Sequence, residues 1–544
     1  MKKFWLLLVM LGWGSPFVQA ATTFDNLSLE EKLGQTLVAF VDVDSAEQVR
    51  LAIEEGKIGG VLIQWGNYSL EETKQLIQKL QSWAKKSPHQ IPLLISIDYE
   101  GGTVHTPITL GFDYLPTNMM LSAADDENAT ASLAYLAGLE LRRAGIHINF
   151  SPVLDVNSNP HNPIIGVRSF GEDPNKVTQM GLSLIHGFQA AGILSIIKHF
   201  PGHGDTAQDS HYKIPAVNAS YEQMQKIHLA PFAAAIKQGV DGIMTGHVLY
   251  PALDRQNIAT FSKPILNDLL RKKMGFKGLL VTDSLDMKSA TSFCTIAGCA
   301  ARALESGEDM ILLGRYIKPV SLFNQILEQV KSNHLDRQVE KSARKIFEIK
   351  EKLGLLSGQM PEVIPPTQKA YLTELAKISN KAVTLVRDRK NLLPFSITKK
   401  ANEKPTVCAV FFAPARFADQ LMSFSQPFLA KGWNIRSYNA SLTPRKKDNH
   451  RAADCARGAD LLIITSLQWA DKTNINQKNA INALTRENQH VVFISTMSPY
   501  DIPNYPEADT VLATYGINKY VLQTAANIIL GNIPAQGKLP VTLE

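Results

Sequence analysis

Three histidines, one lysine and two aspartates fall between Lys198 and His211. The run is Lys198-His199-Phe200-Pro201-Gly202-His203-Gly204-Asp205-Thr206, closed by Asp209-Ser210-His211. Imidazoles move protons near neutral pH, carboxylates orient them, and a lysine holds a fixed positive charge. His199, His203 and His211, with Asp205 nearby, also raise the question of a metal. Their H-x3-H-x7-H spacing fits no standard zinc pattern, so no metal site and no cofactor are expected. Proton transfer and the binding of a polar substrate remain.

Such groups need a scaffold. The apolar stretch Gly192-Ile193-Leu194-Ser195-Ile196-Ile197 reads as a buried strand that delivers Lys198-His199 at its carboxyl end, where parallel α/β folds keep their active sites. The full set of candidate strands is Thr36–Val41, Gly60–Gln64, Leu93–Asp98, Ile148–Val156, Ile193–His199, Gly242–Gly246, Leu279–Asp283 and Met310–Gly314. Helical periodicity separates them, as in Leu266–Met274 and Ala300–Glu305, and Ser28-Leu29-Glu30-Glu31 opens the first helix as a capping box. This alternation predicts a (β/α)8 TIM-like barrel over 21–353.

Gly354, Gly358, Pro361, Pro365 and Pro366 mark 354–368 as a linker. Beyond it, 369–544 repeats an α/β pattern, with strands at Val383–Val386, Val407–Phe412, Ile435–Tyr438, Leu461–Thr465, Val491–Ser495 and Val511–Thr514. A smaller αβα sandwich around a parallel sheet is expected. It has no Gly-rich dinucleotide fingerprint and no phosphate-binding loop.

The 544 residues are 45% hydrophobic and 19% charged, with a net charge of +6. That is a globular chain with sizeable cores. No Lys/Arg cluster alternates with aromatics, so no nucleic-acid partner is expected. Lys2 and Lys3, the apolar run Phe4–Trp13 and Val18-Gln19-Ala20 read as a signal peptide over 1–20, cleaved after Ala20. The mature chain is expected to be periplasmic or secreted, without a membrane anchor, and to act as a monomer. Export permits disulfides. Cys294 and Cys299 could bridge if their segment is a loop, whereas Cys408, inside an apolar strand, reads as a buried thiol.

Polar clusters follow the predicted barrel strands. Ile97-Asp98-Tyr99-Glu100-Gly101-Gly102 follows the third, and Arg168-Ser169-Phe170-Gly171 lies in the loop after the fourth. Gly246-His247 ends the sixth, and Thr282-Asp283-Ser284-Leu285-Asp286-Met287 ends the seventh. Several readings are modest. Glu100 should alternate away from the pocket, and His203 should brace its loop. Asp155 and Asp286 fit loop capping. His247 fits either a substrate contact or a strand-end hydrogen bond.

Together with the Lys198–His211 run, these motifs resemble glycoside hydrolase family 3, specifically its β-N-acetylglucosaminidase branch. Ser498-Pro499-Tyr500-Asp501 and Pro534–Val541 are similar to the family's second domain. The resemblance implies Asp283 as nucleophile, His211 as general acid/base and Asp209 as the carboxylate that polarises it. It implies Asp98, Arg168, Lys198 and His199 as substrate-binding groups, and His247 is placed with them. An aspartate beside an imidazole favours the imidazolium, and cations near Asp283 keep a nucleophile ionised. The family's glucosidases take their acid/base glutamate from elsewhere, so Asp209-Ser210-His211 argues against that subgroup. Thr103 and Thr106 stand where basic residues are common in the branch, and Tyr99 where an amide is usual.

The implied function is a retaining β-N-acetylhexosaminidase that removes terminal β-linked N-acetylglucosamine from peptidoglycan or chitin-type fragments, with a carbohydrate as its partner. The alternatives are a phosphorylase or transglycosylase on the same fold, or a non-catalytic glycan-binding protein.

Overall fold

The structure, a computed structural model, describes residues 24–543 except 65, 103–109, 212–213, 316, 360–363, 365–366, 401–402 and 469–473. The expected signal peptide, Thr103, Thr106 and part of the expected linker lie outside the described residues.

The first helix, Leu29–Thr36, starts where Ser28 and Glu31 exchange capping hydrogen bonds. Eight strands follow: β1 Leu37–Val41, β2 Gly60–Ile63, β3 Leu94–Ile97, β4 Ile148–Asn149, β5 Leu194–Phe200, β6 Gly242–Thr245, β7 Leu279–Thr282 and β8 Ile311–Leu312. They pair in parallel in the order β8-β1-β2-β3-β4-β5-β6-β7. A parallel bridge between Val281 and Met310 joins the two ends. The result is a TIM-like barrel.

Its interior is filled by Val38, Leu62, Leu94, Ile148, Phe150, Ile196, Met244, Leu279, Val281, Met310 and Leu312. Ile346, on the helix Asp336–Lys352, packs into the same cluster. On that helix the buried Lys350 donates to Gln35 Oε1 at 2.6 Å and the Gly59 carbonyl at 2.9 Å, with burial pulling its pKa down to about 7.

Strand β4 is much shorter than the expected Ile148–Val156. Pro152 has no N–H for the ladder, so pairing stops before it; Val153 regains only an isolated bridge to Lys198.

The second domain begins with the helix Gln368–Ala382. Its strands are β9 Thr384–Asp388, β10 Thr406–Phe412, β11 Asn434–Ala440, β12 Leu461–Ser466, β13 Val491–Ser495 and β14 Thr510–Ala513. The order is β9-β14-β13-β12-β10-β11. The sheet departs from the wholly parallel one expected, because β9 runs antiparallel to β14 at the edge. An edge strand has only one neighbour to satisfy, which is where open α/β sheets accept a reversed strand.

One cysteine reading changes, and the other holds without its condition. Cys408 is not a free thiol but is bonded to Cys455, on the helix Lys446–Ala456 that packs over β10 and β11. Cys294 and Cys299 are bonded although Cys299 sits in the first turns of the helix Ile296–Ser306. Their Cα atoms are 5.4 Å apart, so a continuous loop is not needed. Among the described residues no helix is long and apolar enough to cross a membrane.

Candidate active site

Side chains alternate along a strand, and the barrel's inward phase decides what reaches its mouth. On β3 that phase begins with Leu94 and ends at Asp98. On β5 it runs from Ile196 to Lys198, and on β7 through Leu279 and Val281 to Asp283. Asp98, Lys198 and Asp283 therefore meet above the apolar interior, around a cavity of about 450 Å³ that Arg168, His199 and His211 also line. A pocket of that size suits a small organic ligand.

One wall is a buried charge network. Lys198, 3% exposed, reaches Asp98 Oδ1 at 2.7 Å and Glu100 Oε1 at 2.6 Å. Arg168 grips the same Glu100 with two bonds, Nε to Oε2 at 2.7 Å and Nη2 to Oε1 at 2.9 Å. Burial alone would lower both cations' pKa values. The carboxylates reverse this and raise them, Asp98 and Glu100 acting on Lys198 and Glu100 chiefly on Arg168. Both stay charged.

Glu100 thus lines the cavity instead of turning away. Strand alternation does not extend to it: β3 ends at Ile97, and Gly101 and Gly102 turn the chain at φ of 99° and 77°.

Behind the cavity, Asp155 is fully buried. Its Oδ2 lies 2.7 Å from His199 Nδ1, and its Oδ1 accepts the His203 N–H at 2.6 Å. It caps its loop as expected, and it also orients His199, leaving Nε2 as the nitrogen for a ligand. Burial would raise the Asp155 carboxyl, but His199, His203 and these bonds hold it below the usual range. His203 braces the loop through Thr206 Oγ1 at 2.8 Å and Ser210 Oγ at 3.3 Å, and burial lowers its pKa to about 4. The rings of His199 and His203 therefore turn to different side chains, although Asp155 also accepts the His203 N–H.

On the opposite wall, Asp283 Oδ1 accepts the Ser284 N–H at 2.7 Å. Burial pushes this carboxyl up, yet His199, His247, the Ser284 amide and Lys198 together carry it below the ordinary aspartate value. Asp283 is ionised at neutral pH. Ser284 Oγ donates to Asp286 Oδ1 at 2.6 Å, and Asp286 Oδ2 accepts the Arg315 N–H at 2.8 Å. Gly314 makes room for that carboxylate: a Cβ there would sit 2.4 Å from Asp286 Cγ, on a backbone with φ of 105°.

His211 stands at the rim of the cavity, its side chain 54% exposed. Its Nδ1 is 2.8 Å from Asp209 Oδ1, which also accepts its own N–H at 2.9 Å. Nε2 is left to exchange a proton.

His247 does not line the cavity, contrary to its expected substrate contact. Its Nδ1 meets Thr260 Oγ1 at 2.7 Å and its Nε2 the Ser284 carbonyl at 3.0 Å. Both ring nitrogens are used within the protein, so it supports the Asp283–Ser284 turn.

Sequence reasoning also passed over Gln64. It follows β2 in the inward phase of Leu62, lines the cavity at 8% exposure, and its carbonyl oxygen has no protein partner. An amide directly after an apolar strand was the available signal.

The profile of the glycosyl hydrolase family 3 N terminal domain matches residues 28–349. Beta-hexosaminidase A of Pseudoalteromonas piscicida is 31% identical over 556 residues, spanning 90% of this chain and 89% of that protein. The beta-N-acetylglucosaminidase/beta-glucosidase of Cellulomonas fimi is 26% identical over 555 residues, spanning 96% and 94%. The structure of a glycoside hydrolase family 3 beta-N-acetylglucosaminidase from Paenibacillus sp. str. FPU-7 superposes with a TM-score of 0.85 at 30% identity, covering 95% of this chain and 99% of that one. With a profile match over most of the barrel and a likeness that runs through both domains, this chain is a glycoside hydrolase and belongs to glycosyl hydrolase family 3.

Proposed function

We propose that this enzyme is a retaining β-N-acetylhexosaminidase that releases terminal β-linked N-acetylglucosamine from peptidoglycan or chitin-type fragments. One observation carries the reading: an ionised Asp283 and the imidazole of the His211–Asp209 pair open on the same cavity. Retention needs one group to attack and another to serve the leaving oxygen.

In the first step an Asp283 oxygen bonds to the anomeric carbon as the glycosidic C–O bond breaks. The departing oxygen takes the proton from Nε2 of the His211 imidazolium. In the second step the neutral Nε2 takes a proton from water as the water oxygen bonds to the anomeric carbon, and Asp283 leaves as carboxylate. Asp209 holds the ring through Nδ1, which leaves Nε2 facing the reaction. Asp98, Arg168, Lys198 and His199 Nε2 supply the donors and acceptors for the sugar.

A second reading has a specific observation in its favour. A neutral imidazole repels phosphate less than a second carboxylate would, so His211 also suits phosphorolysis. Rates on aryl β-N-acetylglucosaminide, β-glucoside, β-xyloside and β-N-acetylgalactosaminide, with and without phosphate, separate these. The N-acetylglucosaminide should be fastest and release free sugar. Glucoside turnover as fast or faster would count against the substrate assignment, and phosphate-dependent sugar phosphate against hydrolysis.

Export to the periplasm or medium is part of the proposal. Disulfides at Cys294–Cys299 and Cys408–Cys455 support an oxidising compartment. N-terminal sequencing of the purified enzyme should begin at Ala21; an intact Met1 in exported protein would contradict it.

A further inference from the structure

None of the described residues lining the cavity comes from the second domain. That domain nevertheless reaches the loop carrying Arg168 by three hydrogen-bonded routes. In the first, Tyr500, in the turn Pro499–Asn504, accepts a bond from Asn157 Nδ2 at 2.8 Å. Asn157 is buried, and its Oδ1 accepts the Gly166 N–H at 3.1 Å. Gly166 opens the short turn Gly166–Arg168.

In the second, the Thr117 hydroxyl donates to the Tyr515 carbonyl at 2.8 Å while capping the helix Asn118–Ala124. The first residue of that helix, Asn118, donates to the Arg168 carbonyl at 2.6 Å.

The third holds the far end of the loop. The Pro540 carbonyl accepts the Glu172 N–H at 3.3 Å. Thr542 donates to both oxygens of Glu172, from its N–H at 2.9 Å and its hydroxyl at 2.6 Å. Gly171 lies so close that a Cβ would stand 2.4 Å from the Pro540 oxygen, with φ at 141°. The Asn157 N–H, bonded to the Gly171 carbonyl at 2.9 Å, ties this route to the first.

We infer that the second domain is a positioning device for Arg168, with Tyr500 as its principal positioning residue. The routes from Tyr500, Tyr515 and Thr542 converge on one loop, and Arg168 is the charged side chain that loop sends into the cavity wall. Through Glu100, Arg168 is also linked to Lys198. A loop displaced by about 1 Å misaligns all three groups, and displacements of that size carry large kinetic effects. The domain therefore acts on substrate binding without touching substrate.

This rests on the reading that Arg168 helps hold the sugar, so the test includes a check of that reading. Steady-state kinetics and N-acetylglucosamine affinity are measured for Tyr500→Phe, Thr542→Val, Arg168→Lys and the double variant Tyr500→Phe/Arg168→Lys. Lys381→Ala is the control, because it removes an interdomain ion pair with Asp126, at 2.7 Å, that lies off these routes. Losing one hydrogen bond should raise KM and weaken product binding about 2- to 10-fold in Tyr500→Phe. Its kcat should stay within about twofold, the pattern of lost binding without lost chemistry. Thr542→Val should move KM in the same direction, and Lys381→Ala should not move it.

In the double variant the Tyr500→Phe effect should vanish, because the group it positions is already altered. If Tyr500→Phe and Thr542→Val lower the melting temperature while KM and product affinity hold, the domain is only a stabiliser and the inference is overturned. If the two effects multiply in the double variant, Tyr500 does not act through Arg168. If Arg168→Lys alone leaves KM unchanged, it is the role of Arg168 that fails.

Discussion

Asp283 in the barrel and Asp501 in the second domain are both buried carboxyls set just beyond parallel strands, and they are shifted in opposite directions. Burial pushes Asp501 up to about 7, against the hydroxyls of Ser466 and of Ser495, whose Oγ donates to Asp501 Oδ1 at 2.8 Å. Asp283 feels the same upward push, but His199, His247, Lys198 and the Ser284 amide hold it below the ordinary value. Two hydroxyls do not offset the desolvation of a charge at Asp501, whereas the imidazoles, amide and ammonium around Asp283 together do. The carboxyl end of a parallel strand is thus a place where chemistry can be built, and the charges around it decide whether it is. Around Asp283 they surround an open cavity. Around Asp501 hydroxyls and packed side chains favour a neutral acid with a structural role.

The sharpest way to break this contrast is Asp283→Asn. Removing the attacking oxyanion should cost on the order of 10⁴-fold in kcat, with melting behaviour retained. A folded variant with activity near that of the parent would end the nucleophile assignment.

Glu100→Gln comes next. It strips Arg168 and Lys198 of a shared carboxylate inside the protein. Breaking a buried pair this way costs about 3 kcal/mol of stability, and kcat/KM should fall about 10²-fold as both cations lose their fixed positions. Kinetics together with denaturant melts check this; a neutral outcome in both would mean that Asp98 alone suffices to hold Lys198.

The smallest effect on activity belongs to Asp501, whose substitution acts on stability alone. An acid whose folded pKa is raised binds a proton more tightly in the native state. Its contribution is therefore fully present below the unfolded value near 4 and is lost as pH rises through about 7. Asp501→Asn should melt like the parent near pH 4 and above it at pH 8, by at most about 4 kcal/mol. Glu140, also raised by burial to about 7, keeps part of the pH dependence in the variant. A steeper loss of stability toward pH 8 in Asp501→Asn would show that the ionised form is stabilising there.

Much of the scaffold was legible because buried parallel strands are continuous apolar runs, and those runs located all the barrel strands. The exceptions have local causes. Pro152 cut β4 short, and β3 ended at Ile97, before Glu100, where Gly101 and Gly102 turn the chain. The Cys408–Cys455 bond joins residues 47 apart, and nothing near Cys408 in sequence marks its partner. His247 shows a different limit. Its position at a strand end was read correctly, but only three-dimensional packing reveals that Thr260 and the Ser284 carbonyl occupy both its nitrogens. The Arg168 loop shows the same limit at larger scale, since its supports come from Tyr500, Tyr515 and Thr542 in another domain.

The central claim is that Asp283 forms a covalent bond to the sugar while His211 handles protons for both steps. It is tested most directly in His211→Ala with an activated aryl β-N-acetylglucosaminide. The activated leaving group departs with little help, so the first step survives, while the second lacks its base and the intermediate should build up. Intact-mass measurement should show the enzyme heavier by one N-acetylhexosaminyl group, and peptide mapping should place it on Asp283. Rates across aryl leaving groups of rising pKa should fall most steeply for the poorest. A uniform loss across that series with no adduct at any time, or an adduct mapped to another residue, would contradict the account.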